Sequence, residues 1–198
     1  MQDKALPEAA EGGQAPEVGR MLAEGASPEA KDGDGTPVLV LAAREGHLDV
    51  LKLLRRHGAK LEATTKSGAT ALIYAAINGK ADCVEALLNW GADKDAANKF
   101  GDTALHCAAG NGDLECARLL VAAEADRAKK NTRGQTALEA AQEQGKGKVV
   151  KLLEQADDNV SAARLPIVHR SAASLFAGPL HLAHVQPRST FLRQLRWF

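Results

Sequence analysis

The sequence predicts an all-α solenoid of stacked helix–turn–helix units, followed by an irregular C-terminal tail. Three observations carry this expectation. Gly35, Gly68, Gly101 and Gly134 are spaced by 33 residues every time, and three of them head the same phrase: Gly68-Ala-Thr-Ala-Leu72, Gly101-Asp-Thr-Ala-Leu105 and Gly134-Gln-Thr-Ala-Leu138. Pairs of small residues and pairs of leucines then recur in the same register, and glycines recur between them. A fixed period of this size marks a repeat stack. Such a stack presents a long surface, so binding is the first functional expectation rather than chemistry.

The unit that starts at Gly68 shows the logic. Thr70 is a good helix N-cap, because its hydroxyl can take up a free N–H of the first turn. Ala71, Leu72, Tyr74, Ala75 and Ala76 predict a short first helix, and Gly79 ends it, where the chain needs a positive φ. Ala81 to Leu88 predicts a second helix, with Val84, Leu87 and Leu88 at helical spacing. Gly91 stops that helix. The polar stretch Asp93 to Lys99 must then reverse the chain to reach Gly101.

The other copies follow the same order. Leu39-Val-Leu-Ala-Ala43, Gly46 and Val50-Leu-Lys-Leu-Leu54 form one. Its opening phrase is a variant, Gly35-Thr-Pro-Val-Leu39. Leu105-His-Cys-Ala-Ala109, Gly112 and Cys116-Ala-Arg-Leu-Leu120 form another, and Leu138-Glu-Ala-Ala141, Gly145 and Val149-Val-Lys-Leu-Leu153 the last. One period upstream of Gly35, Ala9-Ala10, Gly13 and Gly25-Ala26 complete a first copy that begins near Leu6. The expected repeats are 5–33, 34–66, 67–99, 100–132 and 133–158, with a basic, disordered tail at 159–198.

These residues resemble the ankyrin repeat. Thr103-Ala-Leu-His-Cys-Ala-Ala-Gly-Asn-Gly112 is close to that family's T-P-L-H-x-A-A-x-x-G phrase, and Gly91-Ala-Asp93 to the G-A-D that closes its second helix. Leu6-Pro-Glu-Ala-Ala10 to Gly25-Ala-Ser-Pro28 looks like the family's polar N-terminal cap. The resemblance covers about residues 5–158. It implies paired antiparallel helices with short β-hairpin-like fingers set at right angles to them, forming a concave protein-binding groove.

Some residues depart from the pattern. Glu124 stands where Gly58 and Gly91 stand in other copies, so a side chain falls on a left-handed backbone position at a cost of roughly 1 kcal/mol. Gln142 replaces the second alanine of the pair. Gly147 is expected inside the last second helix, at about another 1 kcal/mol relative to alanine. The fourth and fifth repeats are therefore expected to be the softer end of the stack.

Bulk composition fits an ordinary globular chain, at 45% apolar and 25% charged, with only 4% aromatic residues, as suits a stack built on alanine. The net charge is zero. The tail has no Asp, Glu or Lys beyond Asp158 and carries Arg164, Arg170, Arg188, Arg193 and Arg196, so it is +5 and residues 1–158 are −5. Neither value implies nucleic acid. The three cysteines, Cys83, Cys107 and Cys116, read as small buried hydrophobes of a reducing compartment, not as a disulfide framework. No secretory signal is expected at Met1-Gln-Asp-Lys-Ala-Leu-Pro-Glu8. The uncharged stretch Ser171 to Pro187 is too short and too broken to span a bilayer. The Asn159-Val-Ser161 sequon is expected to be irrelevant in the cytoplasm, or nucleus, where the chain is placed.

Signals for chemistry are weak. His106 and Cys107 are adjacent, but no C-x-x-C or H-E-x-x-H spacing exists, and the resemblance puts His106 in a structural slot. Cys107 aligns with Tyr74 and Leu41 on the packed face. Gly110-Asn-Gly-Asp113 and Gly145-Lys-Gly-Lys148 lack phosphate-loop spacing. Asp32-Gly-Asp-Gly35 opens like a calcium loop, yet Ala43 stands where the closing Glu would be. No catalytic residue, metal or cofactor is expected.

The resemblance assigns partner contacts to the positions around each finger glycine. Here these are Asp34 and Thr36; Lys66, Ser67 and Ala69; Lys99, Phe100 and Asp102; Thr132, Arg133 and Gln135. On the first helices the matching positions are Arg44 and Glu45, Ile77 and Asn78, Asn111, and Glu143 and Gln144. Phe100 and Ile77 are apolar at sites expected to be exposed, in adjacent repeats, and could anchor a partner. Trp90, at the end of a second helix, is expected to cover leucines of its own stack.

The tail breaks the period. Phe191, Leu195 and Phe198 could share one face of a short helix, with Arg193 and Arg196 elsewhere, as a membrane or partner contact would need. The expected function is a monomeric, non-catalytic module (scaffold, adaptor or inhibitor) that binds another protein through fingers and groove. The alternative is a targeting or regulatory module tethered to a membrane by the basic tail. An enzyme or small-molecule binder is disfavoured, because no cluster of titratable residues converges.

Overall fold

The computed structural model describes residues 2–163. These form ten helices in five consecutive pairs: α1 (Gln2–Glu11) and α2 (Ala15–Ala23), α3 (Val38–Glu45) and α4 (Leu48–Arg56), α5 (Ala71–Ile77) and α6 (Ala81–Asn89), α7 (Ala104–Asn111) and α8 (Leu114–Ala122), α9 (Ala137–Glu143) and α10 (Gly147–Ala163). First helices pack on first helices, α1 to α3 to α5 to α7 to α9, and second helices on second helices. The result is an all-α solenoid two helices deep, as the period predicts.

Helix starts follow the threonines. The side-chain oxygens of Thr70, Thr103 and Thr136 accept the amides of Ile73, His106 and Glu139 at 3.4, 3.4 and 3.3 Å. Each satisfies one of the N–H groups that a helix leaves unpaired. Pro37 holds the same slot before α3 and offers no hydroxyl, so α3 begins without a side-chain cap.

The core repeats with the sequence. Ala42-Ala43, Ala75-Ala76 and Ala108-Ala109 are fully buried, and their small size lets adjacent first helices approach closely. Leu54, Leu87, Leu120 and Leu153 fill one column of the second-helix layer, and Met21 begins it. Val50, Cys83, Cys116 and Val149 form the next column, so two of the cysteines occupy slots that valine fills elsewhere. Trp90 caps α6 and packs against the core from its edge.

The departures resolve differently. Glu124 is the non-glycine residue at positive φ among the described residues, at 58°, where Gly58 and Gly91 sit at 88° and 86°. The expected strain is present. Gly147 lies in α10 as expected, but as its first residue. A glycine at the first helical position loses less than one in the interior, because its own N–H has no partner within the helix there. Gln142 is exposed where the equivalent Ala43, Ala76 and Ala109 are covered by the next repeat. A polar residue suits the open face of a terminal unit.

Helix α10 runs past Asp158 to Ala163. Nothing in Asn159-Val-Ser-Ala-Ala163 breaks a helix, and the first strong stop signal is Pro166. The rest of the tail, with Phe191, Leu195 and Phe198, lies outside the described residues.

Candidate functional site

Four fingers, at 31–37, 64–70, 97–103 and 130–136, connect the pairs. Each is shaped by the residue three before its glycine. Asp32 Oδ1 accepts the amides of Asp34 and Thr36 at 2.9 and 2.8 Å. Asn98 Oδ1 accepts those of Phe100 and Asp102 at 2.8 and 3.0 Å. Asn131 Oδ1 accepts those of Arg133 and Gln135, both at 3.0 Å. Thr65 does the same more weakly, its hydroxyl taking the Ala69 amide at 3.3 Å. A side chain that binds the backbone two and four residues on closes the turn locally. Antiparallel bridges Lys31–Pro37 and Ala97–Thr103 close two fingers at the base.

The fingers are also tied to one another. The Lys99 amide donates to the Ser67 carbonyl at 2.9 Å, and the Thr132 amide to the Phe100 carbonyl at 2.9 Å. The Thr132 hydroxyl adds a second bond to Phe100 O at 3.0 Å, and Asn131 Nδ2 reaches Asp102 Oδ1 at 2.8 Å. The tips are therefore held on a hydrogen-bonded edge.

On that edge Asp34, Lys66, Lys99, Phe100, Thr132 and Arg133 are exposed, while Thr36, Ser67, Asp102 and Gln135 are half-buried. Ala69 is not available to a partner: it is buried in the core, because the finger returns inward before Thr70 caps α5. Phe100 is 62% exposed, a large apolar group at the tip of a pinned turn.

The helix-side positions are partly occupied. Arg44 Nη2 bonds Glu11 Oε1 at 2.6 Å across the first repeat boundary, and its Nε bonds Glu45 Oε1 at 2.8 Å. Asn78 Nδ2 donates to Tyr74 O at 2.9 Å, and Asn111 Nδ2 to Ile77 O at 2.7 Å, so both satisfy carbonyls at the end of α5. Ile77 is 37% exposed. It is the last residue of α5 and Phe100 is at a finger tip, so the two belong to opposite ends of the groove and form no single patch.

One stretch of groove opens into a cavity of about 240 Å³ between the fourth and fifth repeats. Asp102, Asn111, Arg133, Glu143 and Gln144 line it, with Cys107 among them. Its origin is steric. Leu41 and Tyr74 become Cys107 and then Ala140 in successive repeats, and Arg44 and Ile77 become Gly110. Gln135 Nε2 bonds Glu143 Oε2 at 2.8 Å over this space, and Arg133 Nη1 stands 4.0 Å from the same oxygen.

Cys107 thus only partly joins the packed face and also borders the cavity. Burial, with the Asp102 carboxylate adding to it, pushes its thiol up to about 12. Burial raises Cys83 to about 11, helped by Asp82, and Cys116 to about 12, helped by Asp113. Thiols held protonated are poor nucleophiles. His106 is buried and spends both ring nitrogens on structure: Nδ1 faces the Thr103 hydroxyl at 2.9 Å, and Nε2 the Gln135 carbonyl at 3.0 Å. Among the described residues no group of three or more His, Cys, Asp and Glu could hold a metal ion, and no helix is long and apolar enough to cross a membrane.

The residues that shape the site were not singled out from the sequence. Asp32, Thr65, Asn98 and Asn131 recur every 33 residues, as do Glu29, Glu62 and Asp95. The carboxylates of the second set accept the amides of Lys60, Asp93 and Asp126 in the following repeat, at 2.7, 2.9 and 2.7 Å. The same period that located the glycines would have found both sets. A model of one family, described as ankyrin repeats (3 copies), matches the chain over residues 6–98 and 91–162. No curated protein matches it.

Proposed function

Since the chain belongs to the ankyrin-repeat family, whose repeats are protein–protein interaction modules, we propose that it is a non-catalytic module that holds a partner protein by its finger tips and adjoining groove. The observation that supports this reading most is Phe100. A ring exposed to 62% at the tip of a turn fixed by Asn98, Ser67 and Thr132 gains nothing from its own fold. It is ordered before binding, which lowers the entropy that association must overcome. Around it, the buried positions repeat while the register of Phe100 does not: Asp34, Ser67, Phe100 and Arg133 are four different side chains at one position of the finger. Specificity belongs to such positions.

The test is affinity capture with the whole chain, in parallel with Phe100→Ala and Arg133→Ala. Both side chains are exposed, so each variant should keep its stability within about 0.5 kcal/mol. At least one captured protein should disappear from each. If every captured protein is retained by both variants, the finger-and-groove reading is wrong.

A further inference from the structure

We propose that the second to fourth fingers form a docking strip for an extended acidic peptide segment that carries an aromatic or aliphatic side chain among its carboxylates. This rests on the interaction reading above and names the chemistry of the partner.

The charge on the finger edge is one-sided. Lys66, Lys99, Lys130 and Arg133 are all exposed on these three fingers. Lys66 and Lys99 have no ion-pair partner among the described residues, and Arg133 has only the 4.0 Å approach to Glu143. The acid on the same fingers, Asp102, already accepts from Asn131 Nδ2. Of the nearby helix-side acids, Glu11 and Glu45 pair with Arg44, Glu143 accepts from Gln135, and Glu139 accepts from Thr136 and attracts Lys130. The three fingers thus carry four cations against the one carboxylate of Asp102, a net +3.

The lysines are also aligned. A Cβ placed on Gly35 would lie 3.4 Å from Lys66 Cε, and one on Gly68 would lie 3.4 Å from Lys99 Cγ. Each stem therefore runs over the glycine of the preceding finger. Phe100 stands between Lys99 and Arg133 in this row and supplies the apolar anchor. The row ends at Asp34 on the first finger, which would repel an acidic chain that ran further. A short peptide can place its acids opposite the cations alone. A nucleic acid carries charge at every step and would also face the −5 of residues 1–158.

Exposed ion pairs are individually weak, so the row acts together with Phe100 and is sensitive to salt. The experiment is selection of a displayed library of random twelve-residue peptides on the immobilised full chain. Enriched peptides should be net negative with an aromatic or aliphatic residue. Their affinity should fall about tenfold or more on Lys66→Glu/Lys99→Glu and again on Phe100→Ala, and be kept or improved by Asp34→Lys. Neutral or basic peptides that still depend on Phe100 overturn the acidic strip and leave the interaction reading standing. Acidic peptides indifferent to the double reversal also overturn the strip. Polyuridylate RNA that binds more tightly than any selected peptide, and is released by the double reversal, overturns it in favour of a polyanion. If no peptide is enriched and affinity capture also shows no dependence on Phe100 or Arg133, the interaction reading falls, and the strip with it.

Discussion

The imidazole Nε2 of His106 lies 3.0 Å from the carbonyl oxygen of Gln135, a bond that crosses from the fourth repeat to the last finger. The other ring nitrogen faces Thr103, which caps α7. One buried ring thus joins a helix start, its own helix and the next finger. His106→Ala leaves a cavity and an unpaired carbonyl, and should cost about 1–3 kcal/mol. A urea melt followed by circular dichroism measures it. A midpoint equal to the parent's would show that the ring is dispensable.

Glu124 predicts a gain instead. Its φ of 58° suits glycine, and its side chain is exposed. Glu124→Gly should raise stability by about 0.5–1 kcal/mol, since the left-handed strain outweighs the extra freedom of the unfolded chain. Calorimetry should show a higher melting temperature. A lower one means that the carboxylate contributes more than the backbone costs.

Two finger glycines with the same backbone separate strain from crowding. Gly101 and Gly134 have φ of 74° and 77°. A Cβ on Gly101 would meet the backbone of Asn131 and Thr132 at 2.9 Å, whereas one on Gly134 meets nothing within 4 Å. Gly134→Ala should cost about 1 kcal/mol from conformation alone, and Gly101→Ala at least about 2 kcal/mol, because finger must part from finger. Equal losses in paired urea melts would deny the close approach.

The cysteines predict an alkaline limit. Burial lifts Cys83 to about 11 and Cys107 and Cys116 to about 12, against an ordinary thiol value of 9.0. A raised thiol value means that folding favours the protonated form. This contribution is complete below about pH 9 and is lost as pH rises through about 11–12. Iodoacetamide at about pH 8 should leave all three thiols unlabelled in the native protein and label them in urea. Cys83→Val/Cys116→Val, which copies the valines of the equivalent Val50 and Val149 slots, should keep stability at neutral pH within about 1 kcal/mol and reduce the alkaline loss. Rapid native labelling would contradict the burial.

Much of the architecture was legible because each repeat reads like the others. A threonine cap, an alanine pair, a leucine column and a turn glycine each depend on residues within about ten positions of one another. Recurrence at a fixed period separates them from chance. Even the strain at Glu124 could be read, since its neighbours in register are glycines. That Gly147 is the first residue of α10 was not legible, because the exact start of a helix is a local hydrogen-bonding outcome and composition marks such boundaries poorly.

By itself the sequence determined what is stacked: five helix pairs, their order, their core and the positions left free to vary. Only the tertiary structure decided how those free positions meet. The cavity beside Cys107 needs Gly110 of one repeat against Ala140 and Glu143 of the next. The lysine row needs each stem laid over the preceding finger's glycine. Ile77 and Phe100, adjacent in repeat number, part company because one ends a helix and the other tips a finger. A period specifies the residues of a unit. The distances across its boundaries follow from packing, which brings together side chains some thirty positions apart.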